Sequence, residues 1–222
     1  MIAIDGPAGA GKSTIAKRLA DRLGFTYIDS GAMYRAVALW ALRQNLDTAD
    51  MHRMEQLALA AEIELGTNSR IALNGEDITD QIRTADVGKH ASVIAVIPGV
   101  RRALVEKQRA LGERTSVIME GRDIGTVVFP NADVKVYLDA DVPERVRRRV
   151  RDFHQQGNMV QPDTVAEQIR ERDQRDRTRA EAPLTQAPDA VYIDSTVLTP
   201  EQVEEEILKL VRARVTNGKD FS

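Results

Sequence analysis

The sequence of 222 residues contains no cysteine. It therefore offers no disulfide framework, no thiolate zinc site and no cysteine nucleophile. No apolar run approaches the ~20 residues that a membrane-spanning helix needs, and the apolar residues at the start resemble a strand rather than a signal peptide. We therefore expect a cytoplasmic protein without a membrane anchor, long enough to bury one large core.

Lysine is scarce among the basic residues, with 7 lysines against 24 arginines. Residues 145–179 hold ten arginines, no lysine and six acidic residues, a net charge of +4 that leaves −7 for the rest of the chain. A guanidinium presents a planar fork of donors that suits phosphate oxygens. The segment therefore indicates phosphate binding, although two solvated helices with salt-bridged surfaces would give a similar composition.

A phosphate-binding loop organises the start of the sequence. The apolar run 1–5 leads into Gly-Pro-Ala-Gly-Ala-Gly-Lys-Ser at 6–13, and a helical pattern follows from Thr14. In a G-x-x-x-x-G-K-S motif, small residues let successive backbone N–H groups point at a polyphosphate, and the helix N-terminus adds its positive end. Lys12 can then reach the β- and γ-phosphates, and the Ser13 hydroxyl can bind Mg²⁺. An accidental glycine-rich turn would not require this strand and helix.

Short strand-like runs alternate with helical patterns along the chain. The runs are residues 1–5, 26–28, 115–119, 134–138 and 190–193. Such alternation predicts a parallel sheet covered by helices. Together with the phosphate loop, it indicates an α/β fold of the P-loop NTPase type, in which the five-stranded parallel sheet has the order 2-3-1-4-5.

Residues 63–82 interrupt this alternation. The runs 63–65 and 70–73 alternate like short strands, and Asn74-Gly75 is a strong signal for a two-residue hairpin turn. We expect a small β-hairpin insertion here. Spacing alone leaves open whether it contributes to a ligand site or only decorates the surface.

Two arginine-rich helices joined by a break at 157–162 predict a helical lid. Asp141-x-x-Glu144 is typical of a capping box and opens a helix that runs to about Gln156, and Thr164-x-x-Glu167 opens the second helix. Three charged side chains of the second helix, spaced i, i+4 and i+7, share one face: Arg172, Asp176 and Arg179.

Charged residues follow the strands at the edge where parallel sheets bind ligands. They are Asp5, Asp29, Glu120, Arg122 and Asp123. We expect them to converge near the phosphate loop, with Asp29 or Ser30 capping the next helix. Four arginines outside the loop form a second set suited to phosphate: Arg35, Arg101, Arg122 and Arg179. A second phosphate site implies an acceptor that carries phosphate.

A phosphate loop by itself fits kinases, GTPase switches and ATP-driven machines. The N-K-x-D motif that reads guanine is absent, and D-x-x-G occurs only at 21–24, inside a predicted helix where it could not sense a γ-phosphate. No signature of an oligomeric machine is present either. The motifs therefore favour a kinase.

Four ordered motifs resemble those of the bacterial cytidylate kinases, nucleoside monophosphate kinases that act on CMP and dCMP. They are GPAGAGKST at 6–14, DSGAMYR at 29–35, GRDIGTVVFP at 121–130 and RDQRDRTR at 172–179. The resemblance runs from Met1 to about residue 215, and it includes the family's enlarged monophosphate-binding region with a small β insertion. It implies transfer of the γ-phosphoryl group of ATP to CMP or dCMP with Mg²⁺.

The resemblance also implies roles for individual residues. It assigns ATP binding to Gly6, Pro7, Ala8, Gly9, Ala10, Gly11, Lys12, Ser13 and Thr14. It assigns the phosphate of CMP to Ser30, Arg35 and Arg122, the cytosine base to Ser92, Arg101 and Asp123, and the pentose hydroxyls to Arg172 and Asp176. Glu120 stands where adenylate-kinase-like enzymes often carry Asp, and this resemblance implies that it holds Mg²⁺ through water.

Catalysis is expected from three cations that stabilise charge on the transferred group: Lys12, Arg122 and Arg179. Arg179 matches a lid arginine that reaches the transferred phosphoryl group. Arg148 and Arg149 match further basic lid positions, but the run 147–149 leaves the register open.

The resemblance predicts a single kinase domain over residues 1–222. Its core would comprise 1–30, 115–142 and 180–222, its monophosphate-binding region 31–114, and its lid about 143–179. The expected partners are ATP, CMP or dCMP and Mg²⁺, with no nucleic acid or membrane, and the expected state is a monomer.

Two rival functions remain open from sequence. One is another small-molecule kinase of the same fold, acting on UMP, AMP or a non-nucleotide alcohol. The other is a nucleic-acid-binding module whose arginine-rich helices track a phosphate backbone. The acidic remainder of the chain and the lack of interleaved aromatic residues in 145–179 argue against the second.

Overall fold

The computed structural model describes residues 1–66, 69–113, 115–155 and 157–216. In chain order the elements are β1 (Ile2–Asp5), α1 (Lys12–Leu23), β2 (Thr26–Asp29), α2 (Ser30–Arg43), α3 (Met51–Ala60), β3 (Ile63–Leu65), β4 (Ile71–Leu73), β5 (Glu76–Asp77), α4 (Ala85–Ile94), α5 (Pro98–Gly112), β6 (Val117–Gly121), β7 (Val134–Asp139), α6 (Val142–Gln155), α7 (Pro162–Thr178), β8 (Val191–Asp194) and α8 (Pro200–Thr216). A short 3₁₀-helix at Gln81–Arg83 precedes α4, and a π-helix at Ile124–Val128 follows β6.

The chain forms two compact units. The first contains Met1–Thr26 and Ser116–Ser222, and the second contains Tyr27–Thr115. The predicted core and lid segments therefore fall mainly in the first unit, and the predicted monophosphate-binding region, 31–114, lies within the second. Each unit is described by itself below.

The larger sheet has five strands in the order β2-β6-β1-β7-β8. Counted among these five strands in chain order, this is 2-3-1-4-5, so the predicted topology is confirmed. β1 pairs in parallel with β6 and β7, and β7 pairs in parallel with β8. Every residue of β1 and β6 is buried, as expected of central parallel strands that are covered on both faces.

α6 and α7, the helices of the predicted lid, share a small apolar core of their own, built from Phe153, Val165 and Ile169. The Glu144 N–H donates to the Asp141 carboxylate at 2.8 Å, which confirms Asp141 as the cap of α6. The predicted box is not closed, because the Asp141 N–H donates to the Thr196 hydroxyl and the Glu144 carboxylate accepts from arginines instead. α6 is described to Gln155, and its predicted end at Gln156 lies outside the described residues.

The predicted start of α7 is wrong by three residues. The helix begins at Pro162 rather than after Thr164, and its N-cap residue Gln161 makes no side-chain capping bond. Proline suits the first helical position because its fixed φ fits a helix and its missing N–H would find no partner there. The capping-box pattern at 164–167 therefore lies inside the helix.

In the second unit, α2 to α5 enclose an apolar core to which a three-stranded antiparallel sheet, β3-β4-β5, contributes Ile71 and Leu73. The predicted turn is present, with φ of 50° at Asn74 and 82° at Gly75. It joins β4 to β5, a strand that the sequence pattern did not predict because Glu76 and Asp77 are both exposed. The insertion is therefore a three-stranded sheet instead of a single hairpin.

Within the described residues, none of the helices combines the length and the apolar character needed to cross a membrane. α8 begins with a reciprocal capping box in which the Thr199 N–H donates to Gln202 and the Gln202 N–H donates to the Thr199 hydroxyl. Glu204 of α8 accepts hydrogen bonds from Arg18 and Arg22 of α1, which joins the last helix to the first.

Candidate active site

The phosphate loop between β1 and α1 depends on glycine at two positions. Gly6 has φ 148°, and a Cβ there would collide with the carbonyl oxygen of Leu138 in β7. Gly11, with φ 94°, is the left-handed residue that starts α1. Residues with a side chain rarely adopt such φ values, so the loop backbone is held in a shape that only glycine tolerates at these points.

Lys12 is buried at the first position of α1, and its Nζ donates to the carbonyl oxygen of Pro7 at 2.7 Å. Burial, helped by the positive charge of Arg122, lowers the pKa of Lys12 to about 7. The next two residues, Ser13 and Thr14, are exposed. The loop therefore combines a desolvated amine with accessible hydroxyls at a helix N-terminus, as a polyphosphate site requires.

Asp5 connects the end of β1 to the segment that carries Arg122 and Asp123. One carboxylate oxygen accepts the N–H of Ile124 at 2.8 Å and the other accepts the N–H of Gly125 at 2.7 Å. Burial raises the pKa of Asp5 to about 6, although these two hydrogen bonds act in the opposite direction. Asp5 thus holds the start of the π-helix, a rare element that occurs mostly at functional sites.

Arg122 and Asp176 form an ion pair within the first unit, with Nε of Arg122 2.8 Å from Oδ2 of Asp176. Burial acts to lower the pKa of Arg122, but the Asp176 carboxylate outweighs it and the pKa is raised. Burial likewise acts to raise the pKa of Asp176, and Arg122 and Arg172 together hold it below its usual range. Both groups are therefore charged at neutral pH.

Arg179 follows the last turn of α7 and is buried between carboxylates. Its terminal nitrogens lie 3.5 Å from Asp123 and 3.9 Å from Asp176, and its Nε donates to the Ala182 carbonyl at 2.7 Å. Arg172, one turn before Asp176, lies 3.9 Å from the same carboxylate. The predicted shared face of Arg172, Asp176 and Arg179 is confirmed.

Glu120 is buried at the end of β6, opposite Ile4 of β1 in the sheet. Burial lowers the pKa of Lys12, and the negative charge of Glu120 acts to raise it. The carboxylate therefore lies close enough to the phosphate loop to influence its lysine. Its role toward Mg²⁺ stays a prediction.

The predicted lid arginines have different surroundings. Arg148 donates to the loop carbonyl of Ala10 at 3.2 Å and to the hydroxyl and carbonyl oxygens of Ser195 at 3.0 and 2.6 Å. The guanidinium of Arg149 instead lies over the ring of Phe153, 4.6 Å from its centroid. The structure thus places Arg148 beside the phosphate loop and Arg149 on the small apolar core between the lid helices.

Sequence reasoning did not single out Arg145 or Asp173. Arg145 donates to the loop carbonyl of Ala8 at 3.1 Å and forms an ion pair of 2.7 Å with Asp173. Both residues lie in charge-rich helical segments, and a composition of this kind predicts side chains that are exposed to solvent. The one available signal was the position of Arg145 in the first turn of α6, directly after a strand that was predicted to end at the ligand-binding edge.

In the second unit, Asp29 caps α2. One carboxylate oxygen accepts the Ala32 N–H at 3.1 Å, which confirms the predicted cap, and the other accepts from Arg35 at 2.7 Å. Ser30 is buried at the start of the same helix. Because Arg35 is only half-buried, its guanidinium is held at the helix N-terminus but remains partly accessible.

Two further predicted residues lie on α4 and α5 of the second unit. Arg101 is buried, donates to the Ala95 carbonyl at 3.1 Å and lies over the ring of Tyr34, 5.7 Å from its centroid. The Ser92 hydroxyl is buried and makes no hydrogen bond to any described residue. A buried hydroxyl of this kind usually has a partner, so its surroundings suit a polar ligand.

The structure thus brings together, within the first unit, seven of the predicted residues: Lys12, Glu120, Arg122, Asp123, Arg172, Asp176 and Arg179. Ser30, Arg35, Ser92 and Arg101 belong to the second unit. The first set contains four cations and three carboxylates in the unit that carries the phosphate loop. Chemically, the guanidinium groups of this set are donors that suit phosphate oxygens.

Comparison with known proteins agrees with this chemistry. The family model for cytidylate kinase matches residues 2–213. A cytidylate kinase of Solibacter usitatus (strain Ellin6076) is 67% identical over 224 residues, covering 100% of this chain and 96% of that protein. A cytidylate kinase of Pelotomaculum thermopropionicum is 48% identical over 222 residues, covering 98% and 96%.

One solved structure supports the fold alone. An uncharacterized protein from Eubacterium ventriosum ATCC 27560 superposes with a TM-score of 0.53 at 12% sequence identity, covering 96% of this chain and 97% of that one. At this identity the similarity concerns chain architecture and carries no information about substrate.

Proposed function

Because the chain belongs to the cytidylate kinase family and is a nucleoside monophosphate kinase, we propose that it transfers the γ-phosphoryl group of ATP to CMP or dCMP. The products would be ADP and CDP or dCDP. The observation that carries this proposal is the cluster of Arg122, Arg172 and Arg179 around Asp176, in the same unit as the phosphate loop. The loop accounts for one polyphosphate, and the cluster provides the positive charge for a second phosphate.

The reaction requires positioning and charge stabilisation more than covalent chemistry by the protein. A phosphate oxygen of the monophosphate attacks the γ-phosphorus in line, the bond to the β-γ bridging oxygen breaks, and ADP leaves. Because the attacking oxygen is already anionic, no strong general base is needed. Lys12, Arg122 and Arg179 are the cations that we assign to the charge on the transferred group.

The carboxylates around these arginines hold them in place before substrate binds. Asp176 orients Arg122, and Asp123 and Asp176 lie on either side of Arg179. Such preorganised charge stabilises a transition state without rearrangement during the reaction. We assign the phosphate of CMP to Ser30, Arg35 and Arg122, and the pentose hydroxyls to Arg172 and Asp176.

Recognition of cytosine is assigned to Asp123, Arg101 and Ser92. The exocyclic amine of cytosine needs an acceptor such as Asp123, and its O2 and N3 need donors such as Arg101. The buried Ser92 hydroxyl, which lacks a hydrogen-bond partner among the described residues, is consistent with a polar ligand. Uracil presents a carbonyl where cytosine has the amine, so the same carboxylate would disfavour UMP.

The oxygen donors near the loop fit Mg²⁺. Ser13 offers an exposed hydroxyl at the start of α1, and Glu120 offers a buried carboxylate near Lys12. Mg²⁺ commonly takes one or two protein ligands and completes its shell with water and substrate phosphates. When bound, it would neutralise charge on the β- and γ-phosphates, with Ser13 as direct ligand and Glu120 acting through water.

Further parts of the assignment concern the lid and the cellular setting. We assign Arg148 and Arg149 to the lid and propose that lid closure excludes water, which would otherwise accept the phosphoryl group. We also propose that the protein acts as a monomer in the cytoplasm, without nucleic acid or membrane as partner.

A coupled assay for ADP tests the proposal directly. The purified protein with Mg²⁺ and ATP should produce ADP rapidly with CMP or dCMP, and at most slowly with UMP or AMP. Preference for another monophosphate or for an alcohol would favour the rival kinase. Salt-sensitive retention on nucleic acid, with no ADP from any monophosphate, would favour a nucleic-acid-binding module.

A further inference from the structure

Arg145 packs against the phosphate loop from the first turn of α6, with 2% of its surface exposed. Its Nε donates to the Ala140 carbonyl at 3.0 Å and its Nη1 to the loop carbonyl of Ala8 at 3.1 Å. A Cβ placed on Gly9 would lie 3.1 Å from both Cβ and the carbonyl oxygen of Arg145. The loop backbone and this arginine are therefore in direct contact, with no room for a larger residue between them.

The same guanidinium is paired with a carboxylate on the other lid helix. Nη1 of Arg145 lies 2.7 Å from Oδ2 of Asp173, and both side chains are almost completely buried. The other oxygen of Asp173 makes no hydrogen bond to any described residue, so Arg145 is the contact that orients this carboxylate. Asp173 precedes Asp176 by three residues on α7 and therefore lies next to it on the helix surface.

We propose that the Arg145–Asp173 pair links occupancy of the phosphate loop to the position of α7, and so acts as a positioning pair for Arg172, Asp176 and Arg179. The inference rests on the proposed function, because it takes the loop as the site of the triphosphate. The link is stiff for a physical reason: two buried charges cannot separate without leaving each other unpaired in the protein interior. A movement of the loop backbone at Ala8 is therefore passed to α7.

Hydrogen exchange measured by mass spectrometry tests this link without any monophosphate. The probe is a nonhydrolysable ATP analogue with Mg²⁺. In the wild-type protein we expect slower exchange in peptides from the loop and also in peptides from 170–178, by roughly 5-fold or more, the lower range of measured couplings. In Asp173→Asn the loop should remain protected, and the effect on 170–178 should disappear.

Arg147→Lys is the matched control. Arg147 lies on α6 between Arg145 and Arg148, is largely exposed and pairs with Glu144 at 2.7 Å on the helix surface. The variant should respond to the analogue as the wild type does. Arg145→Lys gives a second test, because a lysine keeps the charge but has a single nitrogen, which cannot occupy the positions of both Nε and Nη1 of the guanidinium. If Asp173→Asn fails to fold, Arg145→Lys replaces it as the test of the link.

Unchanged exchange in 170–178 when the analogue binds to the wild type would overturn the inference. So would full protection of 170–178 in the folded Asp173→Asn or Arg145→Lys variant, or a loop that shows no protection at all. The proposed function is tested by a different measurement, the production of ADP from ATP and CMP. A protein that makes no ADP from CMP can still show the exchange response of the loop and the helix.

Discussion

Nε of Arg122 lies 2.8 Å from Oδ2 of Asp176, although the two residues are 54 positions apart in the sequence. This contact joins the segment after β6 to the last turn of α7, and it places the carboxylate next to three arginines. Besides the contact with the pentose that we propose for it, Asp176 is therefore placed to orient these arginines through its charge.

Asp176→Asn should reduce kcat/KM for CMP by ~10²-fold or more. The arginines around position 176 lose the negative charge that orients them, and their own positive charges then repel one another. Removing one partner of a buried pair also costs stability, typically by about 3 kcal/mol. Steady-state kinetics and urea unfolding measure the two effects. Glu171→Gln, at an exposed position in the middle of the same helix, should change neither. A normal kcat/KM in Asp176→Asn would contradict the arrangement.

Lys12→Ala should lower kcat by orders of magnitude while the fold persists. Burial lowers the pKa of the Lys12 amine to about 7, and its Nζ donates to the Pro7 carbonyl. Holding this amine in the loop costs stability, and its position lets it exchange the carbonyl oxygen for a phosphate oxygen. Circular dichroism would report the fold, and the coupled ADP assay the rate. Lys17→Ala, exposed on the same helix, is the control, and near-normal turnover of Lys12→Ala would refute the placement of the donor phosphates.

Asp123→Ala should weaken discrimination between CMP and UMP more than it weakens ATP binding. The reason is that the variant loses the acceptor that we propose for the cytosine amine, whereas the phosphate loop is unchanged. The measurement is the ratio of kcat/KM for CMP to that for UMP, compared with the KM for ATP. An unchanged ratio would remove Asp123 from the cytosine pocket.

The raised pKa of Asp5 predicts that the difference in stability between wild type and Asp5→Asn depends on pH. The pKa of Asp5 rises from 3.8 in the unfolded chain to about 6 in the folded protein because of burial. Between these values the folded state binds more protons, so the folded state loses stability as the pH rises toward 6. Relative to wild type, Asp5→Asn should therefore gain roughly 2 kcal/mol in unfolding free energy between pH 4.5 and 7.5.

Urea unfolding of both proteins at the two pH values checks this sign. The variant should also lose some unfolding free energy at both pH values, because an amide can accept only one of the two N–H bonds that Asp5 accepts. Asp21→Asn, at an exposed position on α1, should show no such trend. A difference between Asp5→Asn and wild type that did not vary with pH would show that the carboxylate is not desolvated.

The sequence sufficed for those parts of the molecule that local patterns determine. The phosphate loop, the Asp29 cap and the Asn74-Gly75 turn all depend on residues that are close together in the chain. The face shared by Arg172, Asp176 and Arg179 follows from helix periodicity alone. These predictions are confirmed for that reason.

The remaining features depend on contacts between distant segments. The Arg145–Asp173 pair joins two charge-rich helices. Apart from the position of Arg145 in the first turn of α6, the sequence does not distinguish the buried members of this pair from the solvated residues beside them. The π-helix after β6 forms where Asp5, more than a hundred residues earlier, accepts its first N–H groups. The start of α7 was missed because Pro162 competes with the capping box, and β5 was missed because its two residues are polar.

The contact between Gly6 and the Leu138 carbonyl has a consequence for how this sequence can vary. The obstacle to a methyl group there is main-chain oxygen, which every possible residue at position 138 would present. Substitutions in β7 therefore cannot make room for one at Gly6, and even alanine at that position should prove intolerable in any background.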